Sequence, residues 1–246
     1  MALRLESHVI PDPLHALIVA LDGTPAQVDA WARELTGVVR WVKVGMTNYY
    51  AQGPALVERL RASGFRVFLD LKLHDIPHQV RGGAQAVASL GVDMITVHAS
   101  GGAAMVAAAV EGAREGAQAA GLVTPAVLAV TVLTSMDSAA LRGVGIREEP
   151  GGLVDTMARA AVGAGAHGIV CSPMEASWAR ATLGENPLIV TPGVRPTWAT
   201  TDDQARTLGP REAIVNGASH LVVGRPITGA PDVAAAAAKI LAEMAG

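Results

Sequence analysis

Eight short runs of apolar residues, rich in β-branched side chains, recur along the chain. They are Ala16–Leu21, Val38–Val44, Arg66–Leu71, Met94–His98, Ala126–Val132, Gly168–Cys171, Leu188–Thr191 and His220–Val223. Most are continuously apolar rather than alternating, which is the pattern of strands covered on both faces, as in a parallel sheet. Segments of helical spacing separate them, with recognisable starts and stops. Thr24 stands before Pro25 as an N-cap with proline at the first helical position, and that segment runs to Thr36. Pro54–Ser63, Gln79–Leu90, Ala103–Ala120, Gly152–Ala164 and Met174–Leu183 are each followed by a glycine, the residue that most easily takes the left-handed position closing a helix. Ala213–Val215 ends a short helix before Asn216-Gly217, and Pro231–Ala245 is the last.

Eight strands alternating with eight helices in 246 residues predict an α/β fold, a (β/α)8 TIM barrel. The expectation is a single barrel domain over residues 1–246, with 1–13 as an irregular N-terminal arm. An open doubly wound sheet would carry a glycine-rich turn after its first strand, and Leu21-Asp22-Gly23-Thr24 contains no G-x-G-x-x-G. The connection from Pro192 to Leu208 is long and without pattern, which in a barrel suggests a functional loop.

Composition narrows the function classes. Half the residues are hydrophobic and 17% are charged, enough for a large core and too few charges for a disordered chain. Net charge is −3 with no basic run, so no footprint for nucleic acid is expected. No apolar stretch reaches the roughly 20 residues that span a membrane, and no secretory pattern opens the chain. The one cysteine, Cys171, permits no disulfide within the chain, and a cytoplasmic location is expected. Within its apolar run Cys171 reads as a small buried hydrophobe, not a nucleophile.

Barrel active sites lie at the C-terminal ends of the strands. Nearly every run here stops on a charge or a hydroxyl: Asp22, Lys43, Asp70 with Lys72, His98, Thr131 with Thr134, Thr191 and Arg225. Charges in a barrel mouth must be paired to offset desolvation, and alternating lysines and aspartates can pair mutually. Asp70 and Lys72 are two apart and so share a strand face. Asp75 follows before Ile76-Pro77 opens a helix, and the spacing predicts an acid, a base and a second acid in one small volume. An ion-paired lysine there stays protonated and can serve as general acid. Gly224-Arg225 after the last run reads as a phosphate site, with Arg195 and Gln204 adding donors from the preceding loop. His98 reads as a core residue at a strand end, and His74 as facing away from the charged cluster. No His, Cys and carboxylate set shows zinc spacing, so no metal is expected.

Taken in order, these residues resemble the orotidine 5′-monophosphate decarboxylase family, bacterial type 1, whose barrel is of the ribulose-phosphate-binding type. The likeness is carried by Phe68-Leu69-Asp70-Leu71-Lys72-Leu73-His74-Asp75-Ile76-Pro77, by Val130-Thr131-Val132-Leu133-Thr134-Ser135-Met136, and by Thr191-Pro192-Gly193-Val194-Arg195-Pro196. The resemblance implies cofactor-free decarboxylation of orotidine 5′-monophosphate to UMP, the last step of de novo pyrimidine synthesis. It implies that Lys72 protonates C6 of the pyrimidine and that Asp70 lies against the substrate carboxylate. Lys43 would bridge Asp70 and the ribose, and Asp22 would bind a ribose hydroxyl. Thr134 would bond the pyrimidine edge, with Ile76 and Pro192 among the substrate contacts. Gln204, Gly224 and Arg225 would hold the phosphate, with Arg195 nearby. Asp75 would serve the neighbouring subunit of a homodimer. The family commonly reads Asn-Thr after Ile-Pro, the threonine helping to bind ribose across the dimer. Here the pair is His78-Gln79; Gln79 can still donate and accept hydrogen bonds toward a ribose, but with a reach different from the threonine's.

Two other readings share these features. Related barrels, 3-keto-L-gulonate 6-phosphate decarboxylase and hexulose-phosphate synthase, carry the same Asp-x-Lys-x-x-Asp run but use magnesium. Their second strand ends in a glutamate that joins the aspartate on the metal, and here that place is Lys43, a cation that disfavours a divalent ion. A non-enzymatic nucleotide-binding scaffold is the other, and the intact charge cluster speaks against it.

Overall fold

The computed structural model describes residues 12–196, 198 and 208–246. Among these, eight parallel strands close a barrel in chain order: β1 (Leu17–Ala20), β2 (Trp41–Gly45), β3 (Arg66–Leu73), β4 (Met94–His98), β5 (Ala126–Val130), β6 (Gly168–Val170), β7 (Leu188–Pro192) and β8 (His220–Val223). β8 returns to β1 through the pairs Leu17↔Leu221 and Val19↔Val223. Every expected run is a strand, and the fold is the expected (β/α)8 barrel. The ends differ by up to three residues. β2 starts at Trp41 rather than Val38 because the amides of Val38 and Val39 close the preceding helix on the Leu35 carbonyl.

The helices begin where prolines allow them to. Pro25–Leu35 is opened by a full capping box between Thr24 and Gln27. Pro77–Ala88 starts at the proline expected to open it, Pro150–Gly163 starts at a proline two residues before Gly152, and Pro210–Val215 ends at the expected Val215. Short helices at Pro13–Ala16, Met46–Gln52, Ser138–Gly143 and Arg225–Thr228 were not expected. Pro13 therefore opens a one-turn helix capped by the Asp12 carboxylate rather than ending an irregular arm. The rest of that arm, residues 1–11, lies outside the described residues.

The strands' two faces divide the core. One face packs on the helices. The other fills the barrel with Ile18, Ala20, Trp41, Phe68, Met94, Leu128, Val190 and Val222. Alternation then dictates what stands one layer higher at the C-terminal end. Two residues beyond Trp41 is Lys43, beyond Phe68 is Asp70, beyond Met94 is Thr96, and beyond Val222 is Gly224. An apolar floor and a polar mouth follow from one period-2 pattern.

The helix after β3 is braced tightly. Gly112 and Gly116 of Gly102–Ala119 lie against the Arg81 and Gln85 carbonyls of Pro77–Ala88, where a Cβ atom would collide with backbone.

Candidate active site

The mouth is organised around a bulge in β3. Leu69 pairs with Ile95 and Leu73 with Val97, so Asp70, Leu71 and Lys72 together stand opposite the single residue Thr96. Among the described residues Lys72 is the one non-glycine at positive φ, at 52°. A left-handed backbone at a side chain of this size costs about 1–2 kcal/mol, and such strain gathers at functional sites. Regular alternation was expected to aim Asp70 and Lys72 together, and their carboxylate and ammonium do meet. The bulge is what sets the aim, because it turns the Lys72 N–H to the Thr96 hydroxyl, 2.9 Å away.

Four charges of alternating sign run across the mouth. Lys72 Nζ lies 2.8 Å from Asp70 Oδ2, and Lys43 Nζ lies 3.6 Å from the same oxygen. Lys43 Nζ also lies 3.2 Å from Asp22 Oδ1. The side chains of Lys43 and Asp70 are 10% and 12% exposed, Lys72 is 26% and Asp22 62%. The network is therefore anchored in its buried middle, and the outer Asp22 contact is the weakest link because water screens it. Burial pushes the Asp70 carboxyl up. The charges of Lys43 and Lys72, with hydrogen bonds from Lys72 and Thr96, outweigh that and hold it below the ordinary carboxylate range.

Three contiguous cavities open on this row. One of about 190 Å³ is mostly apolar, walled by Phe68, Val130, Val132, Leu133, Val170, Cys171 and Val222, with Lys43, Asp70, Lys72, Thr134 and Pro192 also lining it. A second, of about 340 Å³, is lined by Asp22, Lys43, Pro192, Gly193, Arg195, Gly224, Arg225 and Thr228. A third, of about 620 Å³, lies on the other flank between Asp22, Lys43, Asp70, Lys72 and the helix Met46–Gln52. Lys43 borders all three. The arrangement suits a ligand with a flat uncharged part, a polyhydroxyl middle and an anionic end: slot, lysine and aspartate, then arginines.

Expected residues brought together here are Asp22, Lys43, Asp70, Lys72, Thr134, Pro192, Arg195, Gly224 and Arg225. Asp75, Ile76 and Gln79 are not brought to this mouth. All three are exposed and border none of the three cavities. Asp75 Oδ1 accepts from the Ile76 N–H at 2.6 Å. Gln204 lies outside the described residues.

Cys171 is fully buried, and burial pushes its thiol up, with the Glu175 charge adding to the rise. It is a wall, as expected. His98 is half-buried with its ring 5.2 Å from that of exposed His74. Burial, then the neighbouring His74 and Lys72, holds the His98 imidazole below its ordinary range despite Asp70 nearby.

Two residues at the site escaped the sequence reading. Asn48 is 2% exposed and donates from Nδ2 to the carbonyls of Leu21 at 2.9 Å and Gly23 at 3.0 Å, which fixes the loop that presents Asp22. Thr96 is 1% exposed and donates from its hydroxyl to Asp70 Oδ1 at 2.9 Å. Its signal was its place in β4, two residues beyond an interior methionine.

Comparison with known proteins places this mouth in context. Residues 15–240 match the family described as "Orotidine 5'-phosphate decarboxylase / HUMPS family". An orotidine 5′-phosphate decarboxylase from Anaeromyxobacter sp. (strain K) is 50% identical over 231 residues, covering 94% of this chain and 98% of that protein. One from Thermobifida fusca is 48% identical over 230 residues, covering 93% and 95%. The crystal structure of orotidine 5′-phosphate decarboxylase from Lactobacillus acidophilus superposes with a TM-score of 0.84 at 38% identity, covering 94% of this chain and all of that one.

Proposed function

This chain belongs to the orotidine 5′-phosphate decarboxylase / HUMPS family, and from that footing we propose that it converts orotidine 5′-monophosphate to UMP and carbon dioxide without a metal or organic cofactor. The observation that carries this reading is the row Asp22, Lys43, Asp70, Lys72, three of which line a mostly apolar slot. The pyrimidine enters the slot beside Thr134. Asp22 and Lys43 meet the ribose, and Arg225 with Gly224 and Arg195 takes the phosphate, with Gln204 as a further donor.

The chemistry then falls to Lys72 and Asp70. The bond from C6 to the carboxylate breaks heterolytically, carbon dioxide leaves, and the electron pair stays on C6. The Lys72 ammonium lies where that charge develops, stabilises it, and gives C6 a proton. Its neutral amine regains a proton from solvent, so one proton is consumed per turnover. Asp70 keeps Lys72 charged and directed. A fixed charge placed for the transition state needs no reorganisation as the reaction proceeds. Phosphate binding far from C6 supplies part of the energy that orders the site, within the roughly 8–23 kcal/mol that enzymes remove from barriers.

Lys43 favours this over a magnesium-dependent sugar-phosphate decarboxylase. Its ammonium stands against Asp70, where a divalent ion would need a second carboxylate. We further propose a cytoplasmic homodimer in which Asp75 acts across the interface, since in its own protomer it is exposed and lines none of the three cavities. Ile76 and Gln79 would follow it there, Gln79 making the ribose contact.

The test is the loss of orotidine 5′-monophosphate absorbance with pure protein in excess EDTA. Undiminished turnover is expected; activity abolished by EDTA and restored by magnesium would transfer the chain to the metal-dependent class. For the dimer, Lys72→Ala and Asp75→Asn proteins are mixed under conditions that exchange subunits. Each hybrid dimer then owns one intact site, so an equal mixture should recover about a quarter of wild-type activity. No recovery after proven exchange would place Asp75 outside the partner's site.

A further inference from the structure

We propose that Thr96 is a positioning residue for this reaction, its one hydroxyl holding both the Asp70 carboxylate and the Lys72 backbone. This rests on the decarboxylase reading above. Thr96 borders none of the cavities at the mouth and so acts through those two residues, not on the substrate.

The hydrogen bonds define the role. The Lys72 N–H donates to Thr96 Oγ1 at 2.9 Å, and Thr96 Oγ1 is 2.9 Å from Asp70 Oδ1. A hydroxyl has one proton and two lone pairs. An amide can only donate and an ionised carboxylate only accept, so the hydroxyl proton must point at Asp70. Both directions of the group are thereby spoken for. Its 1% exposure leaves water no access to compete.

The consequence reaches both catalytic charges. With Oδ1 held by Thr96, Asp70 presents Oδ2 to the two lysines, at 2.8 Å from Lys72 and 3.6 Å from Lys43. The same hydroxyl accepts the N–H that the left-handed backbone of Lys72 turns out of the strand ladder. Without it a part-buried amide would lose its partner, and the bulge that aims the ammonium would lose its support. Thr96 is the sole β4 residue opposite three residues of β3, so no other side chain of β4 stands in that place.

A positioning role and a packing role predict opposite orders for two variants. Thr96→Val keeps the shape and loses the hydroxyl; Thr96→Ser keeps the hydroxyl and loses the methyl. Positioning predicts that Thr96→Val lowers kcat about 30- to 100-fold with KM within about threefold, while Thr96→Ser stays within about threefold in both. The pH profile adds a readout that packing would not move. Thr96 is one of the groups holding the Asp70 carboxyl low. Its loss makes Asp70 easier to protonate, and the acid limb of kcat/KM should move to higher pH in Thr96→Val and not in Thr96→Ser. Asp70 is faced by Lys43 from β2, Lys72 from β3 and His98 from β4, with Asp22 reaching it through Lys43. Those groups are common to both variants, so a difference between the two belongs to the hydroxyl.

Should Thr96→Val not fold, Thr96→Ala carries the same comparison. The Asp70 carboxyl followed by 13C NMR as pH falls gives the answer independently of turnover. Wild-type protein that fails to decarboxylate would overturn the reaction and leave that titration to judge Thr96 alone. An unchanged kcat and unchanged acid limb in Thr96→Val, or an equal loss in Thr96→Ser, would overturn the positioning role.

Discussion

The same three strands build both ends of the barrel, and they build them differently. At the N-terminal end, Trp41 of β2 meets His220 of β8 edge to face at 5.5 Å, and the Arg66 guanidinium of β3 lies 4.3 Å from the Trp41 ring centre. Arg66 also pairs with Asp93 at 2.8 Å. At the C-terminal end β2 gives Lys43, β3 gives Asp70 and Lys72, and β8 leads into Gly224 and Arg225. The floor handles polarity by covering it: a cation spread over an aromatic face, and an imidazole kept neutral by burial, then by Arg66 and His15, which push it down to about 4. The mouth handles polarity by alternating it, so that four charges survive at the edge of the core. The three cavities that carry the site residues open on the second arrangement.

On that contrast the largest effect in the molecule belongs to Lys72. Lys72→Ala should lower kcat/KM by at least about 10⁴-fold, combining loss of a general acid with loss of charge at the developing carbanion. Circular dichroism and the melting temperature should change little, because Asp70 keeps Lys43. A variant retaining a tenth of the activity would move the chemistry elsewhere in the mouth.

The second effect lies at the anionic end of the same cleft. Arg225→Ala should cost about 10- to 100-fold in kcat/KM for the phosphorylated substrate, the value of one charge-assisted hydrogen-bonded contact. Orotidine, which lacks the phosphate, should be turned over equally by both proteins. An equal loss on both substrates would mean that Arg225 shapes the pocket and does not read phosphate.

What the sequence disclosed of this contrast depended on how local each signal was. The strands were legible because most are continuous apolar runs, and Asp22, Lys43 and Arg225 were legible because each interrupts or follows such a run. The bulge at Lys72 was not, since two-residue spacing reads the same in a regular strand. Thr96 was hidden inside an apolar run, where a threonine looks like a β-branched filler. Asn48 was hidden in Met46–Gln52, a seven-residue helix too short to be stable alone. Nothing in the sequence marked the floor as distinct, because Trp41, Arg66 and His220 come together only when the barrel closes.

The smallest effect tests the floor itself. The His220 imidazole has an ordinary value of 6.5 and is pushed down to about 4 in the fold. The unfolded chain therefore takes up this proton first as pH falls. Stability from this group is complete above about pH 6.5 and declines progressively towards pH 4, by about 1–3 kcal/mol. His220→Leu removes the titrating group, and it also removes Nδ1, a buried nitrogen with no hydrogen-bond partner among the described residues. Urea unfolding at pH 7 and pH 4.5 should then show a smaller loss of stability in the variant than in the wild type. The loss should not vanish, since burial also lowers His98 and His167 and gives them the same sign. Asp70 works in a separate window. Its depressed carboxyl contributes stability above the ordinary carboxylate range, which is lost only as pH falls below that range. Turnover at pH 7 should be unchanged in His220→Leu, because Trp41, Phe68 and Val222 lie between the imidazole and the charged row. An unchanged pH dependence of stability would remove His220 as a buried neutral base, and a fall in kcat would mean that floor and mouth are coupled through that apolar layer.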